Sequence, residues 1–379
     1  MQVIPIASGK GGVGKSLLAA NLAVALGQAG KSVVCADLDL GASNLHLMLG
    51  ISHVKKGVGT FVKGFHGRIA NIVLPTAYPG VSLVPGDAEI PGLANLTVSQ
   101  KRKLLEELKT LDCDFLILDL GAGSGLNVID FFLQASRGLL VAAPMLTSTL
   151  GAYLFCKNAL FRLLSRLIKR KSKSYEYMRA LEKEGREQQK FNLPELLKKI
   201  KSLDKEVYQA YREKLARFAP RLVLNLLENE KDVEFAERVR RSLKEFLGVA
   251  LEHLGVIYRD PLQDRALNSR IPLIVYKPRA VLSQAIFRIA EKILDQPVDE
   301  EGLLEPDVEG SFELAAAEAK ADFAEKLHSI EELMYSGALT QGDLLDIIKQ
   351  EHIELSNLKK ENQLLKSKLS RAVREGFSL

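Results

Sequence analysis

The chain has 379 residues, with 52 Lys and Arg against 47 Asp and Glu and a formal net charge of +5. Its hydrophobic content of 47% and charged content of 26% are typical of a globular chain with a sizeable core, and they exclude disorder throughout. Aromatic residues make up only 6% and Trp is absent, which argues against aromatic stacking platforms for single-stranded nucleic acid.

The three cysteines, Cys35, Cys113 and Cys156, are widely spaced and form no C-x-x-C pair. This spacing argues against a disulfide scaffold and an all-cysteine zinc site, and it predicts Cys35 and Cys156 as small core residues. The chain shows no signal-peptide pattern and no apolar run near the roughly 18 residues of a membrane span, so we expect a cytoplasmic protein.

Short apolar runs alternate with helical patterns along most of the chain, which indicates a parallel sheet covered by helices on both faces. The runs predict strands at Val3–Ala7, Val33–Leu38, Val81–Pro85, Phe115–Asp119, Leu139–Ala143, Arg221–Leu226 and Glu252–Ile257. The helical patterns predict helices at Ser16–Ala29, Ser99–Thr110, Asn127–Ala135, Val233–Phe246 and Arg279–Leu294. We therefore predict an α/β core with a mostly parallel twisted sheet, in two parts at residues 1–164 and 218–296.

Three further segments lie outside this alternation. Residues 165–217 predict a helical insertion, and the stretch 161–217 is basic, with 17 Lys and Arg against 8 Asp and Glu. Apolar residues in the insertion recur every three or four positions, at Leu193, Leu196, Leu197, Ile200 and Leu203. Residues 297–315 are acidic and lack periodicity, which predicts a linker, and residues 316–379 predict a helical tail.

An apolar heptad runs through the tail from Gln341 to Ala372, with Asn362 at a core position where a polar residue can fix the register of a two-stranded coiled coil. The apolar core positions are Leu344, Ile348, Leu355, Leu358, Leu365 and Leu369. Glu351 interrupts the heptad, so a coiled coil and a helix lying on its own domain are both open. The basic stretch Leu355 to Phe377 also carries an apolar stripe, which leaves binding to a membrane surface open.

The residues Gly9-Lys10-Gly11-Gly12-Val13-Gly14-Lys15-Ser16 match the phosphate-binding pattern G-x-x-x-x-G-K-[ST] between a predicted strand and a predicted helix. Glycines let successive backbone N–H groups face the phosphates, and the helix N-terminus adds favourable potential. Lys15 would reach the β- and γ-phosphates, and the Ser16 hydroxyl would ligate Mg²⁺. The motif predicts a site for a nucleotide with magnesium.

A second lysine within the loop, Lys10, gives it a form that resembles the deviant loop of the MinD/ParA ATPases. The resemblance implies ATP and Mg²⁺ as cofactors and an ATP-dependent homodimer in which Lys10 touches the nucleotide bound by the partner copy. Lys15 would contact the nucleotide of its own copy. The residues that the resemblance implies in nucleotide binding are Gly11, Gly12, Val13, Gly14, Lys15, Ser16 and Leu17.

Three aspartates are candidates for the chemistry beside the phosphates. The segment that starts at Asp37-Leu38-Asp39 and ends at Leu45 is similar to the family's D-x-D-x-G-x-x-N-L, and strand alternation would send both carboxylates to one side. The match implies that Asp39 positions the hydrolytic water and that Asp37 lies near the metal. Asp119 ends a predicted apolar strand, as expected of an aspartate that reaches Mg²⁺ through water.

Later segments are similar to one branch of the family, the FlhG/FleN-like regulators of flagellar number. Leu120-Gly121-Ala122-Gly123 is similar to its second switch, and Pro144–Tyr153 is similar to its P-E-P-T-S-x-x-D-A-Y. Met145, Leu146 and Gly151 depart from the latter pattern.

The resemblance covers about residues 1–295 and leaves the insertion and the tail unaccounted for. Near its end, Asn225 in the strand Leu222-Val223-Leu224-Asn225 matches a family asparagine that meets the adenine.

Three functions are open. The favoured one is a spatial-regulator ATPase of MinD or flagellar type, with slow, partner-stimulated hydrolysis, that positions flagella or another polar or motility complex. The alternatives are a ParA-like partition ATPase that holds nonspecific DNA through the basic insertion, and a nucleotide-bound scaffold that works through a coiled-coil tail. We expect a protein partner at the tail or the insertion, and peripheral attachment at the inner membrane face or cell pole stays open.

Overall fold

The computed structural model describes residues 1–65, 67–86, 96–183, 193–295 and 307–335, with residues 342, 349, 356, 360–363, 365 and 366 of the tail. The chain divides into two compact units, residues 1–323 and residues 324–379. The described strands all belong to the first unit.

The described residues form a single mostly parallel sheet. Its strands are β1 (Gln2–Ser8), β2 (Val33–Leu38), β3 (Leu74–Pro75), β4 (Val81–Val84), β5 (Phe115–Ala122), β6 (Leu139–Ala142), β7 (Arg221–Leu227) and β8 (Glu252–Tyr258). They lie in the order β3-β4-β2-β5-β1-β6-β7-β8, and each neighbouring pair is parallel except β3 and β4. Because parallel strands require crossovers on the faces of the sheet, the central strands are buried on both sides. The predicted fold class is confirmed.

Helices cover both faces of this sheet. They are α1 (Lys15–Gln28), α2 (Leu45–Met48), α3 (Val58–Val62), α4 (Val98–Leu108), α5 (Leu126–Phe132), α6 (Leu146–Leu167), α7 (Lys173–Lys183), α8 (Leu193–Leu203), α9 (Lys205–Arg217), α10 (Glu234–Leu247), α11 (Leu262–Asn268), α12 (Leu273–Tyr276), α13 (Val281–Leu294) and α14 (Val308–Tyr335). Helices α1 and α13 share one apolar core with the sheet, and α4, α5, α6 and α10 share the other. Short 3₁₀ helices lie at Ile69–Ile72 and Glu230–Val233.

One strand is longer than the sequence predicts. We expected it to end at Asp119, whereas β5 continues to Ala122. The reason is that β1 runs beside it, so that Ser8 pairs with Ala122 after an irregularity in the register. The predicted switch segment is therefore partly strand, and its first residues are held by the sheet.

The two cysteines predicted as core residues lie in the core. Cys35 in β2 and Cys156 in α6 are buried and free. Burial raises the pKa of the Cys156 thiol to about 12, so this thiol stays protonated at neutral pH. Both cysteines act as small apolar residues.

The described part of the basic insertion is mostly helical, with a turn at residues 168–172. It consists of the last turn of α6 followed by α7, α8 and α9. Leu196 and Ile200 of α8 are buried, and α8 packs against α9 and α10. The three- and four-residue spacing of the leucines thus indicates the buried face of α8.

The segment predicted as an acidic linker at 297–315 is helical from Val308 onward. Its apolar residues explain the difference, since Phe312 and Ala319 are buried in the core of the first unit. The Tyr258 hydroxyl of β8 donates a hydrogen bond of 2.8 Å to the Ala319 carbonyl. The first turns of α14 therefore cover the edge strand of the sheet, which protects that edge from pairing with another chain.

The predicted heptad from 341 to 372 lies for the most part outside the described residues, so the coiled coil stays a prediction. Within the described part of the chain, no helix has the length and apolar character needed to cross a bilayer.

We expect Phe155→Ala to lower the free energy of unfolding by about 3–5 kcal/mol, because it opens a cavity in the core. Phe155 is fully buried, and its ring packs edge-on against the Phe132 ring with 4.9 Å between the ring centroids. The matched control is Phe65→Ala, since Phe65 is 71% exposed, and its effect should stay within about 0.5 kcal/mol. Urea unfolding followed by circular dichroism measures both, and equal effects would contradict this packing.

Candidate functional site

The phosphate loop, residues 9–16, joins β1 to α1 at the carboxyl end of the sheet. Gly12 and Gly14 have φ of 77° and 86°, in the left-handed region that favours glycine. Val13 is buried, and Gly11 is exposed at the surface of the loop. Leu17 lies half-buried in the first turn of α1. The loop thus has the conformation that the sequence predicts, with the helix N-terminus behind it.

The loop begins in close contact with α6. A Cβ built on Gly9 would lie 2.0 Å from the Gly151 carbonyl carbon, and a Cβ on Gly151 would lie 3.0 Å from the Gly9 carbonyl carbon. Only glycine fits at both positions without movement of the backbone. This contact accounts for Gly151, which departs from the acidic residue of the flagellar pattern. Sequence reasoning missed it, because two glycines far apart in the chain carry no local signal.

Asn225 lies against the same loop. Its Nδ2 donates a hydrogen bond of 2.9 Å to the Val13 carbonyl, and its side chain is buried. The next residue, Leu226, has φ of 65°, and the register of β7 on β8 is irregular here. Because this conformation is unfavourable for leucine, the surrounding contacts hold it in place. The contact between Asn225 and the adenine stays a prediction, but the structure does bring this residue to the phosphate loop.

Asp37 and Asp119 are buried on neighbouring strands, directly opposite each other in the β2–β5 register. The Asp37 carboxylate accepts hydrogen bonds from the Ser43 hydroxyl at 2.6 Å and the Leu45 N–H at 3.1 Å. It also accepts one from the Asp39 N–H at 3.2 Å. Ser43 is thus a supporting residue that the sequence analysis did not assign.

Both buried carboxyls have a raised pKa. Burial raises the pKa of Asp37, against the hydrogen bonds from Ser43 and Leu45. Burial and the nearby charge of Asp37 raise the pKa of Asp119, against the Ser16 hydroxyl and the Lys15 ammonium. Two like charges in a site with little solvent repel each other, so the pair favours a bound cation.

The residues fit magnesium held together with a nucleotide. Asp119 Oδ1 is buried and makes no hydrogen bond, whereas Asp37 is engaged by its own loop. Among the described residues, no group of three or more His, Cys, Asp or Glu could hold a metal ion by itself. Mg²⁺ typically takes one or two carboxylates and completes its shell with waters and phosphate oxygens. Ser16, Asp119 and Asp37 are therefore the residues that would hold it.

Asp39 lies at the rim of this pair and is only partly buried. A Cβ built on Gly121 would lie 3.3 Å from Asp39 Oδ1, so the carboxylate occupies the space that a side chain at 121 would need. The predicted water-positioning role of Asp39 stays a prediction. Its place at the rim, beside the segment that follows Asp119, gives it access to solvent that the buried pair lacks.

The two loop lysines have different surroundings. Lys15 is 7% exposed and lies near the buried Asp119. Lys10 is exposed, and its Nζ donates a hydrogen bond of 3.1 Å to the Thr147 hydroxyl in the first turn of α6. The loop thus directs one lysine inward to the carboxylates and the other outward along α6. The sequence did not predict that Thr147 is the hydrogen-bond partner of Lys10.

Comparisons with known proteins agree with this geometry. Residues 4–273 match the family model for the CobQ/CobB/MinD/ParA nucleotide binding domain. The antiactivator FleN of Pseudomonas aeruginosa is 33% identical over 44% of this chain and 57% of its own length. The flagellum site-determining protein YlxH of Helicobacter pylori is 32% identical over 40% of this chain and 51% of its own. The chain thus spans about half the length of the curated relatives it matches.

The fold is also found in a solved structure of a septum site-determining protein. MinD of Pyrococcus horikoshii, complexed with Mg-ADP, is 24% identical and covers 78% of this chain and 96% of its own, with a TM-score of 0.52. At this identity the likeness concerns the fold.

We expect Gly9→Ala to lower the free energy of unfolding by about 2–3 kcal/mol, since the added methyl must displace the Gly151 backbone. Gly11→Ala is the matched control within the same loop, because the nearest atom to its Cβ would be the Ala122 Cβ at 3.7 Å. Its effect should stay within about 1 kcal/mol. Both are measured by chemical unfolding without nucleotide, and equal losses would rule out the glycine contact.

Proposed function

The chain belongs to the CobQ/CobB/MinD/ParA nucleotide-binding family, and from this membership we propose that it is a magnesium-dependent ATPase that works as a dimerisation switch. ATP brings two copies together, and hydrolysis separates them. The observation that carries the proposal is the division between the loop lysines, Lys15 near the buried carboxylates and Lys10 exposed beside Thr147.

Each residue of the site has a defined task in this proposal. Lys15 and the loop N–H groups bind the phosphates of the ATP held by their own copy, and Ser16, Asp37 and Asp119 hold the magnesium ion. When bound, magnesium neutralises the charge that develops on the β- and γ-phosphates. Asp39 orients the attacking water from the rim of the site. Asn225 holds the loop at Val13 and contacts the adenine.

Lys10 acts on the second copy. Because its ammonium is exposed, it can reach a phosphate across an interface without first leaving a buried position. A charge-assisted contact to phosphate then exists only in the ATP-bound dimer. Hydrolysis removes the γ-phosphate and weakens the interface, which makes the dimer transient.

The positioning of flagella or of another polar complex is the task we propose for the switch. It is supported by the similarity to FleN and to YlxH, which is named for flagellar site determination. We further propose that hydrolysis is slow until a protein partner stimulates it, and that the switch acts in the cytoplasm at the membrane face or cell pole. Nonspecific DNA is a second candidate partner, favoured by the 17 Lys and Arg between residues 161 and 217.

We expect Lys10→Gln to weaken ATP-dependent dimerisation at least about tenfold while nucleotide binding is kept. Lys15→Gln should instead lose nucleotide binding. Light scattering in the presence of a non-hydrolysable ATP analogue and magnesium measures the mass, and fluorescent nucleotide titration measures binding. Lys31→Gln, three residues after the end of α1, is the control for loss of one exposed lysine. A single-chain mass for the wild type at saturating ATP would refute the switch.

We expect Asp39→Ala to lower phosphate release about 100-fold or more and to leave the ATP-bound dimer intact, because it removes the group that orients water. Phosphate release and mass are measured on the same sample. If hydrolysis continued at the wild-type rate, another residue would have to orient the water.

A further inference from the structure

A groove crosses the outer surface of the helices on one face of the sheet. Two adjoining cavities, of about 400 Å³ and 300 Å³, share Gln134 of the α5–β6 connection in their walls. The larger lies between α4, α5 and α6, and the smaller between the end of α5, α6 and α9. We call the two together the α4–α9 groove. It lies outside the nucleotide site and includes the end of the basic insertion.

The floor of the groove holds one carboxylate and three cations. Asp130 of α5 is buried, and it accepts hydrogen bonds from Arg162 at 2.6 and 2.9 Å and from Arg166 at 2.6 Å. Lys101 also donates to it. Burial alone would raise the pKa of Asp130, but the hydrogen bonds from Arg162 and Lys101 outweigh it and hold the pKa below its ordinary value. One negative charge therefore faces three positive ones.

The walls add to this excess of positive charge. The walls also hold two carboxylates: Glu106, which pairs with Arg102 across one helical turn, and the exposed Glu213. Among the described residues, Lys109, Lys214 and Arg217 form no ion pair with a carboxylate, and all three are exposed. Since guanidinium groups bind carboxylates in fixed two-point geometry, the half-buried Arg162 and the exposed Arg166, both held by Asp130, present donors at defined positions.

Apolar side chains lie between these cations. Val98 is 76% exposed at the start of α4, and Leu105, Leu133 and Leu163 are half-buried in the walls. A DNA backbone offers charge but no aliphatic group to fill such positions. A peptide that carries both acidic and aliphatic side chains satisfies the cations and covers the apolar surface.

Helix α5 connects the groove to the nucleotide site along the chain. This helix begins at Leu126, three residues after Gly123, and Gly123 has φ of 82° at the end of the segment that follows Asp119. Asp130 lies on the same helix. An occupant of the groove would therefore touch the helix that directly continues the switch segment.

We propose that the α4–α9 groove binds an acidic peptide segment with aliphatic side chains, presented by a protein partner. This inference rests on the proposed function in one respect, that the switch has a protein partner, and it names the chemistry of that partner and the surface that binds it. The cations hold its carboxylates, and Val98 and the leucines of the walls cover its aliphatic groups.

The test uses the full chain and a fluorescein-labelled peptide of alternating Glu and Leu residues, followed by fluorescence anisotropy. Lys109→Glu with Lys214→Glu reverses two exposed charges of the groove and leaves the Asp130 cluster intact. We expect this variant to bind the peptide about tenfold more weakly, because like charges now face the probe. The matched control, Lys198→Glu with Arg241→Glu, reverses two exposed charges on α8 and α10 that do not line the groove, and it should bind within about twofold of wild type.

The proposal is overturned if the wild type does not bind the peptide, if the groove variant binds it as well as the control does, or if a peptide with Gln in place of Glu binds equally well. Binding of a short duplex DNA that the groove variant loses, without binding of the peptide, would assign the groove to nucleic acid and overturn it as well. ATP binding and dimer mass, measured on the same variants, should stay at the wild-type level. Failure of the dimerisation switch is therefore seen separately from failure of the groove.

Discussion

Asp37 and Asp119 lie buried opposite each other on neighbouring parallel strands, and the rest of the site is arranged around this unfavourable pair. Two adjacent carboxyls away from solvent are stable only with compensating groups. Ser43 and the Leu45 N–H engage Asp37, while Asp119 Oδ1 is left without a hydrogen bond next to the phosphate loop. A divalent cation delivered with a nucleotide would supply the missing compensation. The free energy of the folded chain and the affinity for its cofactor would then be linked at this point.

The loop that receives the nucleotide is held from two directions. Gly9 contacts the Gly151 backbone of α6, and Val13 accepts a hydrogen bond from Asn225 of β7. Both contacts lie on the loop's inner side, which leaves Lys10 free to extend along α6 toward Thr147. A loop held by such contacts, with one outward lysine, fits the proposed site that a second molecule completes, because a held loop loses little conformational entropy when that molecule binds.

Two further surfaces lie away from the nucleotide. The α4–α9 groove is connected to the switch segment through α5, and α14 covers the edge of the sheet at β8 before it continues into the second unit. The excess of cations around Asp130 ties α4, α5 and α6 together. A partner that competes for these cations would act on α5, and α5 follows the segment beside Asp119. The groove and the nucleotide site are thus connected along one short stretch of chain, from β5 to α5.

Local patterns in the sequence determined seven of the eight described strands and the phosphate loop, because each rests on neighbouring residues, but they did not predict the two-residue β3. The roles that the sequence predicts for Lys15, Ser16 and the aspartates stay predictions. The same patterns predicted the buried face of α8, but not the start of α14 at Val308, where a few apolar residues among acidic ones pack on the sheet. Tertiary structure alone decided the Gly9–Gly151 contact, the Asn225–Val13 hydrogen bond and the groove around Asp130. Their partners lie up to 212 positions apart, and only the packing of parallel strands and their crossover helices brings such residues together.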